Sequence, residues 1–109
     1  MGTIFLDIDG TILKYKDSLK EMLGADPVLL PGVLEKLHEW HTKGYRIVLV
    51  SARPESTRRI TEQQLDSLGV IWNDMILGLS TWRRILINDE RPDDKMTAIA
   101  RCIERNKGL

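Results

Sequence analysis

The sequence is poor in the features that assign a protein quickly. Cysteine occurs once, at Cys102, so no intrachain disulfide can form, and a reducing cytosol is the expected home. Net charge is absent, because 16 Lys and Arg residues balance 16 Asp and Glu residues. That balance argues against binding nucleic acid or an anionic membrane through bulk charge, although a local pocket of either sign stays open. Apolar runs such as Ile47-Val48-Leu49-Val50 stop well short of the ~20 residues that cross a bilayer. The N-terminus lacks the basic-then-apolar layout of a signal peptide. No repeat, low-complexity tract or linker interrupts the 109 residues, which suit one domain spanning 1–109.

What is present is an alternation of strand and helix signals. Thr3–Ile8 is apolar on both alternating faces until Asp7, as a strand covered on both sides should be. Asp9-Gly10-Thr11 ends it with turn residues. Residues 14–30 are weakly patterned, with a short helix over Lys16–Leu23 stopped by Gly24. After Pro31-Gly32, Val33, Leu34, Leu37 and Trp40 or His41 have helical spacing, and Gly44 closes that helix. Arg46–Val50 predicts a second strand. Glu55–Leu68 predicts a helix with Ile60 or Thr61, Leu65 and Leu68 inward. A weaker strand lies within Val70–Leu77 and a fourth at Arg84–Ile87. Met96, Ile99, Ala100 and Ile103 form the apolar stripe of a C-terminal helix, with Asp93 and Asp94 in its first turn. Alternating strands and helices imply right-handed crossovers and a small, mainly parallel sheet between helical layers, a three-layer α/β/α Rossmann-like fold. Ligands bind such sheets beyond the carboxyl ends of the strands. Asp7–Thr11, Ser51–Arg53 and Asn88–Asp89 would converge on that edge.

Asp7 and Asp9 lie two apart, so extended geometry aims both side chains the same way. Two carboxylates at the rim of a dry core repel one another and lose hydration, costing several kcal/mol unless protonated, hydrogen-bonded or neutralised. A hard cation with oxygen ligands, Mg²⁺ first, resolves that conflict and draws in a further acid, for which Asp89 is placed.

The run Asp7-Ile8-Asp9-Gly10-Thr11-Ile12 resembles motif I of the haloacid dehalogenase (HAD) superfamily. Ser51 after an apolar strand resembles its motif II, and Asn88-Asp89 its acidic motif IV, in the same order along nearly the whole chain. The resemblance is to small cap-less phosphatases, with residues 14–30 standing where larger members carry a cap. It implies Asp7 as nucleophile and Asp9 as general acid and base. It also implies phosphate held by the Ser51 hydroxyl and the amides of Ala52 and Arg53, to which Arg84 is added as a candidate cation, and Mg²⁺ held by Asp7, Asp9, Asp89 and Asn88. A carboxylate nucleophile suits this chemistry, since it is ionised at neutral pH without an activating base.

Two positions depart from the pattern. Asn88 stands where many relatives have Asp, removing a charge while keeping an oxygen. Asp93 either caps the last helix or joins the metal site. Gly78 is followed by Leu79 rather than the motif III Lys, leaving Arg84, Arg53, Arg83 or Lys95 as the cation. His38 and His41 have metal-compatible spacing but no completing ligand, and read as helix surface. Cys102 reads as a small buried or partly buried residue, and Arg58-Arg59 as a solvated face. Trp72 and Trp82 read as core, or as contacts for a large substrate or second subunit.

The expected function is Mg²⁺-dependent hydrolysis of a small phosphorylated metabolite such as a sugar phosphate. An oligomer is expected to close the open site, without membrane or nucleic-acid partners. The competing readings are a non-catalytic module binding Mg²⁺ and a phosphorylated ligand, and a phospho-accepting receiver domain. The receiver reading is disfavoured because no Asp ends the third strand.

Overall fold

The computed structural model describes residues 1–109. Three parallel strands, β1 (Thr3–Asp7), β2 (Arg46–Val50) and β3 (Asp74–Ile76), lie side by side in that order. They alternate with α1 (Leu19–Met22), α2 (Val33–Thr42) and α3 (Arg58–Ser67), the last preceded by a 3-10 turn at Glu55–Thr57. Register sets Leu6 beside Leu49 and Leu49 beside Met75. Because strand side chains alternate, Leu6, Ile47, Leu49 and Met75 share one face. Both crossovers step the same way along the sheet, so right-handed connections bring α2 and α3 to a common face. Val33 and Leu37 of α2 and Leu65 of α3 complete one buried cluster with those strand residues. Of the two candidates on α3, Thr61 is inward and fully buried, whereas Ile60 is exposed.

Gly32 opens α2 in the left-handed region at φ 75°, and a Cβ there would strike the carbonyl of Leu109. That close approach lets the Leu109 amide donate to the Pro31 carbonyl at 3.0 Å and its side chain pack against the core.

The chain forms a parallel α/β fold, but its C-terminal third departs from the sequence expectation. The fourth strand at Arg84–Ile87 and the helix carrying Met96, Ile99, Ala100 and Ile103 do not form. Ile87 is 89% exposed, and Met96 and Ile99 are also exposed. An apolar triplet demands burial without naming a partner. Ordering each residue costs ~1–2 kcal/mol, which only realised pairing can offset. The helix depends in turn on the strand, because a short helix draws its stability from packing its apolar stripe. With no fourth strand to bring that stripe to the sheet, the outer layer is missing and Phe5 and Ile76 remain exposed. Asp93 therefore has no helix to cap. Cys102 is exposed rather than buried. Trp72 packs against the core, whereas Trp82 is exposed beneath the Arg83 guanidinium.

Stability measurements should separate these regions. Leu49→Ala should cost about 2–5 kcal/mol by urea unfolding, as large-to-small core changes do, and Ile87→Ala should stay within about 0.5 kcal/mol. Comparable losses would place Ile87 in a packed strand.

Candidate active site

The end of β1 is shaped by its turn. The Ile8 carbonyl accepts from the Thr11, Ile12 and Leu13 amides at 3.2, 2.8 and 3.1 Å, coiling the chain tightly behind Asp9. Ile8, Ile12 and Leu13 are buried, so the turn is anchored from below while Asp7 and Asp9 line the cleft above. Gly10 adopts φ 93°, where an L side chain is strained, and its missing Cβ leaves room for the Arg105 stem.

Each carboxylate meets an arginine. Asp7 Oδ1 accepts from Arg84 Nη1 at 2.9 Å, and its Oδ2 accepts from the Thr11 hydroxyl at 3.3 Å. Asp9 accepts two parallel bonds from Arg53, Nε to Oδ2 and Nη2 to Oδ1, both at 2.8 Å. The Arg53 side chain is only 1% exposed and that of Asp9 12%. Arg53 Nη1 also donates to Thr61 Oγ1 at 3.1 Å and Gln64 Oε1 at 2.7 Å, and Nη2 to the Met22 carbonyl at 3.4 Å. Gln64 in turn donates to the Met22 and Gly24 carbonyls at 2.8 and 2.9 Å. The arginine's donors are thus all engaged.

This arrangement revises part of the expected site. The expectation that Arg53 clamps phosphate gives way, because its guanidinium holds Asp9 and its amide donates to Ser51 Oγ at 3.0 Å. Asn88 and Asp89 do not join the cleft. The strand that would carry them beside β1 is unformed, and they bond instead to Thr97, Asn88 through its side chain and Asp89 through its carbonyl. Lys95 pairs with Glu90 at 3.0 Å, and Arg83 covers Trp82, so neither lines the cleft. His38 and His41 are exposed on α2.

Asp7, Asp9, Ser51, Ala52 and Arg84 do come together, around a cleft of about 370 Å³. Its opposite wall is residues 14–30, through Tyr15, Leu19 and Met22. Sequence reasoning missed Arg105, which lines this cleft and a smaller one beside Gly10 and Thr11. Arg105 sits with its guanidinium 4.0 Å from the Tyr15 ring centroid. The adjacent Asn106 fixes this approach, its amide donating to the Gly10 carbonyl at 2.9 Å and its side chain accepting from the Tyr15 amide at 2.7 Å.

No group of three His, Cys, Asp or Glu side chains is assembled for a metal ion. The Asp7 carboxylate and the Asp9 main-chain carbonyl, which accepts no main-chain hydrogen bond, are hard oxygen donors. Mg²⁺ commonly keeps several waters and takes one or two protein carboxylates. This minimal pair fits such an ion, and the fuller set with Asp89 and Asn88 does not.

Comparisons with known proteins agree with this fold and motif order. Residues 4–106 match the family described as PITM 1-3, LNS2 domain, and the chain belongs to that family. A crystal structure of an MCSG target from Vibrio cholerae superposes with a TM-score of 0.59 at 22% identity, covering 85% of each chain. The crystal structure of D,D-heptose 1.7-bisphosphate phosphatase from B. bronchiseptica, complexed with magnesium and phosphate, gives a TM-score of 0.52 at 18% identity. That match covers 71% of this chain and 49% of the phosphatase, so the chain spans about half the length of that protein. The fold is that of the HAD phosphatases. No curated protein matches the sequence.

The two ion pairs should differ sharply in their energetic weight. Arg53→Met leaves the Asp9 charge unpaired in a nearly closed setting and should cost about 3–5 kcal/mol in urea unfolding. Arg84→Ala breaks a solvent-screened pair and should cost under about 1 kcal/mol. The reverse ranking would show that the Arg53 network is not the anchor of the site.

Proposed function

We propose that this chain hydrolyses phosphomonoesters through an aspartyl-phosphate on Asp7, with a small phosphorylated metabolite such as a sugar phosphate as substrate. The observation that carries the reading is the juxtaposition of Asp7 and Asp9, two residues apart at the carboxyl end of β1, with the Ser51 hydroxyl and the Arg84 guanidinium around one cleft. Family membership and the likeness of fold to a phosphatase support it.

In this mechanism an entering phosphoryl group competes with Asp7 for Arg84, whose side chain is 41% exposed and free to follow it. Ser51 and the Ala52 amide face the remaining phosphoryl oxygens. The freed Asp7 oxygen attacks phosphorus in line as the ester P–O bond breaks, and Asp9 delivers a proton to the departing alkoxide. Water then attacks the same phosphorus and gives a proton to Asp9, releasing inorganic phosphate and restoring Asp7. With both oxygens accepting from Arg53, Asp9 is displayed as a proton acceptor, the form the second step needs. Mg²⁺, held by the Asp7 carboxylate and the Asp9 carbonyl, would supply positive charge that lets a carboxylate approach a phosphate dianion.

Two observations favour a second reading, a module that binds a phosphorylated ligand without turnover: Asn88 and Asp89 lie away from the cleft, and Arg84 occupies Asp7. On either reading the cap-less cleft is open, and a second copy of the chain is the proposed cover. No helix is long and apolar enough to cross a membrane.

Hydrolysis of p-nitrophenyl phosphate decides between the two. With Mg²⁺ the wild-type chain should turn over, and EDTA should stop it. Asp7→Asn should lower the rate at least about a thousandfold, since removing a member of a nucleophile–base pair has effects of that order. Asp9→Asn should slow release of phosphate more than formation of the acid-stable, labelled phosphoenzyme. Binding of inorganic phosphate with no Asp7-dependent turnover would establish the module instead.

A further inference from the structure

The cleft contains two carboxylates but three guanidinium groups, and the third has no acidic partner. Arg53 is committed to Asp9 and Arg84 to Asp7, whereas Arg105 makes no ion pair and stacks on Tyr15. Stacking orients a guanidinium plane while leaving its N–H donors free. The main chain beside it is held to Gly10 and Tyr15 through Asn106, whose backbone takes the left-handed conformation at φ 65°. Arg105 is therefore an exposed, unpaired cation, oriented by its stack on Tyr15, at the junction of both cavities and next to the Asp9-Gly10-Thr11 turn.

From this the geometry points to a second anion subsite. The substrate is a phosphomonoester that carries another anionic group, a phosphate or a carboxylate, which Arg105 receives while the reacting phosphoryl group meets Asp7, Ser51 and Arg84. The inference rests on the phosphatase reading and deepens it by naming the substrate class. A second anion explains why a cation is built into the cleft in addition to Arg84. Tyr15, which lines the cleft as well, holds the planar fork ready to accept it in two parallel bonds.

The test compares two sugars that differ by one phosphate. With Mg²⁺, wild-type kcat/KM for fructose 1,6-bisphosphate should exceed that for fructose 6-phosphate by about tenfold or more, the effect of one charge-assisted contact. Arg105→Gln should remove most of that preference, and Arg105→Lys, which keeps charge without the fork, should restore part of it. Calorimetric titration of both sugars into Asp7→Asn, and into Asp7→Asn combined with Arg105→Gln, reads the same preference as affinity without turnover. A wild-type preference that survives Arg105→Gln, or no preference at all, overturns the subsite. Failure of Asp7-dependent turnover alone overturns only the phosphatase reading, because the calorimetric arm still reports on Arg105.

Discussion

The ion pair between Arg53 and Asp9 is the contact on which the rest of the site depends. It joins segments distant in sequence: the turn after β1, the turn after β2, the third helix and the insert of residues 14–30. A guanidinium this deeply buried is tolerable only if every donor is met, because desolvation costs several kcal/mol per ion. Thr61 and Gln64, fully or nearly buried on α3, exist in that position to meet it. Gln64 then reaches on to the insert, so the same network that orients the Asp9 carboxylate fixes one wall of the cleft. Such a small domain has only about 5–15 kcal/mol of stability to work with. A buried ionic network of this kind is weak as a source of stability and strong as a source of geometry.

That division assigns different duties to the three arginines. Arg53, closed off from water, is a positioning residue for Asp9. Arg84, on an irregular and exposed segment, is free on the proposed mechanism to exchange Asp7 for a phosphoryl group. Arg105 is held by backbone bonds on its neighbour and by an aromatic face rather than by an acid. A motif III lysine on a regular strand would have combined steering and clamping in one residue. Here, with Leu79 after Gly78, the proposal gives those tasks to side chains delivered by the C-terminal segment.

Much of this is legible in the sequence. The apolar runs of β1 and β2 and the 3.6-residue spacing of α2 and α3 are local signals of burial, and each fell within a few residues of its element. Asp7, Asp9 and Ser51 were legible because strand ends in a parallel α/β sheet converge by topology. The C-terminal third was not, because Ile85–Ile87 and the Met96–Ile103 stripe announce a wish for burial without specifying against what. Arg53 carried no sign of its partner, since the Asp9 contact spans 44 positions. Tyr15 and Arg105 escaped for the same reason more strongly, being brought together by an Asn106 hydrogen bond that spans 91.

The unformed strand also has a consequence for chemistry. Without it, β1 keeps a free edge, and the Asp89 carboxylate stays away from Asp7. Asp7 is instead compensated directly by Arg84. An anion entering the cleft meets Arg84 beside an Asp7 carboxylate that is itself partly exposed. The balance of the whole chain, with as many acids as bases, conceals this local asymmetry: three guanidinium groups against two carboxylates is a charge pattern that suits the proposed substrate with negative charge to spare.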